Sequence, residues 1–259
     1  MKSAVNGRGN STNGACFFLL STPRANTRSY NFSGGTPDPN RSSDLRMRPP
    51  SDYKSSTTGY YDTHAAEFCE NTVAVDVSAL YAPFLRELPT GGRILDAGCG
   101  SGRDSLAFLR RGYRVVSIDA SREMVAATTK HTGQEALLLT FDALDFDSEF
   151  DGIWACGSLV HIARRDLNSV LTRFSRALKP DGVAYLSFKY GDSERMEGAR
   201  FFNDLNETTL GTILSAHLEL ELVQVWITED LRNYARGRQR VLNAIVRRNR
   251  SGECRPNLH

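Results

Sequence analysis

Apolar positions along this chain change their spacing several times, and each change marks an element. Val77, Leu80, Tyr81, Phe84, Leu85 and Leu88 recur at helical spacing until Pro89 and Gly91 stop the pattern. The run Ile94-Leu95-Asp96-Ala97 then reads as a buried strand, and Gly98, Gly100 and Gly102 turn it into the next helix. A strand is expected to close at Asp119, and the short apolar run over Ala136–Phe141, ending at Asp142, is consistent with a further strand buried in a parallel sheet. Leu167, Val170, Leu171, Phe174 and Leu178 fall on one helical face, ended by Lys179-Pro180-Asp181-Gly182 before a strand over Val183–Phe188. Leu218–Ile227 and Val241–Val246 are strand-like, and the patternless connection between them suits an antiparallel pair. Alternating strands and helices of this kind predict an α/β domain.

The three glycines carry the first chemistry. A backbone without Cβ atoms turns sharply and lets a ligand come close, and the amides at the helix start favour a negative group. Asp119 closes the next strand, where an acid holds two ribose hydroxyls in nucleoside-binding βαβ units. A dinucleotide site requires G-x-G-x-x-G, but the third glycine slot holds Arg103. The pattern is D-x-G-x-G-x-G, from Asp96 to Gly102, which argues against NAD or FAD.

That segment resembles motif I of the class I S-adenosylmethionine (SAM) methyltransferases. Asp119-Ala120-Ser121-Arg122-Glu123-Met124 resembles the family's D-x-S-x-x-M segment, with Ser121 a good helix N-cap. Phe150-Asp151, Leu178-Lys179-Pro180-x-Gly182 and the closing strand pair also resemble it, over about Tyr60 to Arg248. The details look most like the small tellurite-resistance and ubiquinone-type branches. The resemblance implies a Rossmann-like three-layer α/β/α sandwich, with a seven-stranded, mostly parallel sheet and one antiparallel strand. It implies SAM as cofactor, held by Asp96, Gly98, Gly100, Gly102, Asp119, Ala120, Met124, Asp142 and Ala143. Within that set, Asp96 would help hold the ammonium, Met124 would pack on the adenine, and Asp142 with the amide of Ala143 would read its edge. His161 stands where small-molecule members carry a histidine beside the transferred methyl, as a base or as a pocket-shaping group. Cys156 reads as a small buried hydrophobe rather than a nucleophile.

Composition narrows the partners. At 259 residues with 40% hydrophobic content, the chain can bury one substantial core. The five cysteines are scattered without C-x-x-C, which indicates neither a disulfide framework nor a zinc site, and no metal is expected. No apolar run reaches the length of a membrane span, so a cytoplasmic protein is expected. Residues 1–59 are rich in Ser, Asn, Gly, Pro and Arg and lack periodicity. They read as a disordered tail or as an upstream extension with Met47 the working start. The methyltransferase domain is expected over 60–250 and a flexible tail over 251–259. Both ends are basic around an acidic middle, so methyl transfer to RNA or protein, or SAM binding without catalysis, are the alternatives to a small-molecule acceptor.

Overall fold

The computed structural model describes residues 49–230 and 239–250. Three helices come first: α1 (Tyr53–Thr63), α2 (Ala65–Thr72) and α3 (Ser78–Arg86). The βαβ core follows as β1 (Arg93–Ala97), α4 (Arg103–Leu109), β2 (Arg114–Asp119), α5 (Arg122–Thr132) and β3 (Leu137–Leu138). Next come β4 (Phe150–Ala155), α6 (Arg164–Ala177) and β5 (Leu178–Lys189). The chain then forms β6 (Glu194–Glu197), β7 (Arg200–Asn203), α7 (Glu207–Leu214), β8 (Leu220–Glu229) and β9 (Arg240–Arg248).

The sheet order is β3-β2-β1-β4-β5-β9-β8, with β9 antiparallel to both of its neighbours. The expected Rossmann-like fold and its single antiparallel strand are therefore present. Side chains alternate between two buried layers, as the strand period requires. Leu95, Ala97, Ile153, Ala155, Ala184 and Leu186 join one core with α6 and α7. Ile94, Trp154, Val183 and Tyr185 join the other, with Tyr81 and Phe84 of α3 and Phe108 of α4. There Trp154 stacks on Tyr185 at 3.9 Å, and Phe84, Phe108 and Tyr81 pack around it. Each such aromatic pair adds about 0.5–1.5 kcal/mol beyond area burial.

Three local readings need correction. The leader boundary at residue 59 is too late, because α1 begins at Tyr53 and buries Tyr53 and Thr57. Its apolar content is too low for periodicity to reveal it, and polar bonds hold it instead. Tyr53 Oη donates to Asp166 and accepts from the Ala163 amide. Second, the strand expected over Ala136–Phe141 shortens to β3 at the sheet edge, with Leu137 and Leu138 exposed. Third, Cys156 lies past the end of β4 and is only half-buried. Residues 1–48 and 251–259, on which the leader and tail expectations rest, are outside the described part. Among the described residues, no helix is long and apolar enough to cross a membrane.

Candidate active site

The glycine loop joins β1 to α4, and each glycine has its own steric reason. Gly98 has φ +86°, and a Cβ there would lie 2.4 Å from Ser158 Cβ. Ser158 cannot yield easily, since its Oγ donates to the Ala97 carbonyl at 2.6 Å. Gly102 has φ +77°, and its added Cβ would press on the Thr128 backbone of α5 at 3.0 Å. Gly98 and Gly100 face the cavities, whereas Gly102 serves helix packing. The loop amides are largely spoken for. Gly98 and Cys99 donate to the Ile118 carbonyl, and Gly102 donates to the Cys99 carbonyl. Close approach of the backbone is thus a larger part of what this loop offers than free amides.

Two cavities meet beside the loop. The smaller, of about 180 Å³, is lined by Asp119, Ala120, Met124, Leu139, Phe141, Asp142 and Ile162 among others. Asp119 accepts from the Gly100 amide at 3.0 Å and from the Ser121 amide at 2.9 Å. Burial raises its pKa, while the amides of Ser121, Gly100 and Ala120 oppose the rise. Ser121 caps α5 as expected, accepting from the Met124 amide, and its hydroxyl donates to Asp62 of α1. Asp142 lines this cavity but holds an ion pair with Lys54 of α1 at 2.5 Å. Ala143, in a one-turn helix over Phe141–Ala143, is exposed and does not line it.

The larger cavity, of about 470 Å³, extends past the loop to the β5 end and the β6–β7 hairpin. Tyr61, Phe68, Gly98, Gly100, Cys156, Gly157 and His161 line both. His161 therefore stands at their junction. Its Nδ1 is 2.7 Å from the Phe201 carbonyl, which can only accept, so Nδ1 carries the proton. Its Nε2, 2.8 Å from Tyr61 Oη, is then the acceptor of the tyrosine hydroxyl. Sequence reasoning found His161 but missed Tyr61 as its partner, because α1 contacts it across 100 positions of chain.

Asp96 lies elsewhere. It shares its sheet face with Ile94, beneath α4, and lines neither cavity. Ser105 Oγ donates to it at 2.5 Å, and Ser105 in turn meets Ser117. Burial and the neighbouring Asp104 push its pKa up to about 8. Asp104 itself accepts from Tyr81 Oη, Trp154 Nε1 and Arg103 Nε, within 2.7 to 2.8 Å. A raised carboxyl pKa means that folding favours the protonated form. The resulting stability is complete below about pH 4 and is lost as pH rises through about 8. Asp96→Asn keeps an acceptor for Ser105 and removes that loss. Its melting temperature should match the parent near pH 4 and exceed it near pH 9 in paired thermal scans. Equal gains at both pH values would rule out the ionisation argument.

Comparisons with known proteins agree with this geometry. A family model for the methyltransferase domain matches residues 94–182, from β1 through the β5 start. Residues 94–182 are thus similar to the methyltransferase domain of the class I SAM-dependent enzymes. The cofactor of this family is SAM. The chain is 36% identical over 104 residues to the cypemycin N-terminal methyltransferase of Streptomyces, covering 38% of this chain and 42% of that protein. It is 33% identical over 98 residues to the ubiquinone biosynthesis O-methyltransferase of Rhodopseudomonas palustris, covering 36% of this chain and 38% of the relative. The matches thus span less than half the length of these curated relatives. A solved structure of Burkholderia thailandensis 1,6-didemethyltoxoflavin-N1-methyltransferase superposes with a TM-score of 0.66. It is 22% identical and covers 80% of this chain and 94% of the other, a likeness of fold.

The residues present fit the methyltransferase cofactor. A carboxylate on a strand end suits a ribose, and Leu139, Phe141, Met124 and Ile162 make flat apolar walls suited to a purine.

Proposed function

We propose that the protein transfers the methyl group of SAM to a small-molecule acceptor held in the larger cavity. The observation that carries this reading is the meeting of the two cavities at Tyr61 and His161. A space of about 470 Å³, shared with the cofactor's amino-acid end, suits a compact acceptor. Similarity to a ubiquinone biosynthesis O-methyltransferase and to a 1,6-didemethyltoxoflavin-N1-methyltransferase supports the same class of acceptor. The basic ends behind the RNA alternative lie largely outside the described residues.

The cofactor supplies an electrophilic methyl on a sulfonium centre. Asp119 would hold the ribose hydroxyls, Met124 and Phe141 would flank the adenine, and Ala120 would border it. Asp142 would accept from the adenine amino group once its carboxylate is shared with or released by Lys54. The Ala143 amide already donates to the Thr140 carbonyl at 3.1 Å, outside the cavity lining, and takes no part in this reading. Gly98 and Gly100 permit close approach, and Arg103, at the wall of the larger cavity, would face the amino-acid carboxylate. Asp96 would act from behind, fixing the loop through Ser105 rather than touching the ammonium. His161 Nε2 and Tyr61 Oη would take a proton from an attacking hydroxyl or amine, with Phe201 holding the ring in place. Enclosure by α1 and the hairpin positions the acceptor for in-line attack and limits water.

Calorimetric titration with SAM, its demethylated product and NAD tests the cofactor half. The first two should bind and NAD should not, because Arg103 fills the slot a dinucleotide site leaves to glycine. Incubation with labelled SAM and a metabolite extract, with and without nuclease, tests the acceptor half. Label confined to nuclease-sensitive material would overturn it.

A further inference from the structure

The β6–β7 hairpin lies between β5 and α7 and forms one wall of the larger cavity through Glu197, Arg200 and Phe202. Strand alternation puts Arg200 and Phe202 on the cavity face and Phe201 on the opposite one, where it packs on Tyr53 at 4.7 Å. The cations on this wall differ in how they are satisfied. Arg195 pairs with Glu197 at 2.7 Å and also binds Asp204. Lys189 sits 3.6 Å from Glu197 and 3.7 Å from the centre of the Phe202 ring. Glu197 is thereby committed twice. The Arg200 side chain makes no hydrogen bond or ion pair among the described residues, and its Nε is buried without a partner. Its guanidinium is held between aromatic faces, 4.5 Å from the Tyr60 ring and 5.2 Å from Phe202. Glu229 and Asp230 also line the cavity, but from the end of β8.

A guanidinium kept rigid by two rings and deprived of a carboxylate is a prepared fork for an anion. The remaining walls, Tyr61, Phe68, Phe188 and Phe202, offer faces to a flat apolar body. We propose that the acceptor is an aromatic or heteroaromatic carboxylate whose anionic group docks on Arg200, an inference that rests on the larger cavity being the acceptor site.

The test uses the full chain, titrated calorimetrically with benzoate and with benzamide, its neutral isostere, in the presence of S-adenosylhomocysteine. Benzoate should bind at least about tenfold tighter than benzamide. Arg200→Gln keeps the polar stem and should erase that ratio while changing cofactor affinity less than about twofold. Glu197→Gln gives an independent arm that does not depend on Arg200→Gln folding. Loss of the carboxylate shared by Lys189 and Arg195 makes the wall more cationic and should tighten benzoate several-fold. Equal affinity for the two probes, no saturable benzoate binding, or a preference that survives Arg200→Gln would each overturn the proposal. Failure of the methyltransferase reading would show separately, as absence of S-adenosylhomocysteine binding with the benzoate preference measured without cofactor.

Discussion

Gly98→Ala is expected to abolish measurable SAM binding and to lower the melting temperature by roughly 5–15 °C. Two costs add. The backbone at φ +86° penalises any L side chain, and the new Cβ would lie 2.4 Å from Ser158 Cβ. Together they come to about 2–4 kcal/mol, and each kcal/mol lowers the melting temperature of a domain this size by about 2–4 °C. A control separates the costs. Gly112 has φ +85° with open space around its would-be Cβ, so Gly112→Ala incurs only the backbone cost. Adding Ser158→Gly to Gly98→Ala removes the collision but leaves the dihedral strain. The double variant should therefore regain part of the lost stability, short of the level of Gly112→Ala because the Ser158 bond to the Ala97 carbonyl is also lost. If Gly98→Ala alone melts with Gly112→Ala, Ser158 does not enforce the glycine.

Asp119→Ala and His161→Ala should fail in different measurements. Asp119 lines only the smaller cavity, and removing its charge-assisted bonds should weaken SAM by roughly ten- to a hundredfold. His161 lies at the junction, bonded to Tyr61 and Phe201, so its loss should leave SAM affinity nearly intact. Turnover with an accepted substrate should drop by about 10²–10⁴-fold if the imidazole takes the proton, and much less if it only shapes the cavity. Tyr61→Phe distinguishes these cases further, since it keeps the ring and removes the donor to Nε2. Comparable SAM weakening in both alanine variants would place the junction on the cofactor side.

The contrast between what the sequence disclosed and what it hid has a physical basis. β1 and α6 were legible because β1 is buried on both faces and α6 carries a clear helical stripe, whereas β2 and β4 are marked by the motif residues Asp119 and Phe150-Asp151. Asp119 and Met124 were legible because motif spacing alone places them on a strand end and one turn into a helix. Asp96 was assigned to the cofactor from the same motif, yet strand alternation turns its side chain under α4. That direction is readable in principle, since Ile94 two positions earlier faces the same core. The hairpin left little trace. Its strands are four residues each, and Gly198 at its turn, with φ +59°, is its one local signal. Tyr61 and Arg200 matter through contacts made across the chain, and no local pattern announces those.

The hairpin is also bound to its surroundings at its most consequential point. The Phe201 carbonyl fixes His161, the Phe201 amide binds Thr57 of α1, and Ser56 of α1 donates to the Ala199 carbonyl. A designer who transplants another hairpin to change the acceptor therefore also resets the histidine tautomer and the seat of α1. Productive chimeras will need to exchange residues 53–63 and 194–203 as one module. Point changes at the cavity-facing Arg200 and Phe202, which leave the Phe201 backbone where it is, are the conservative route to new substrates.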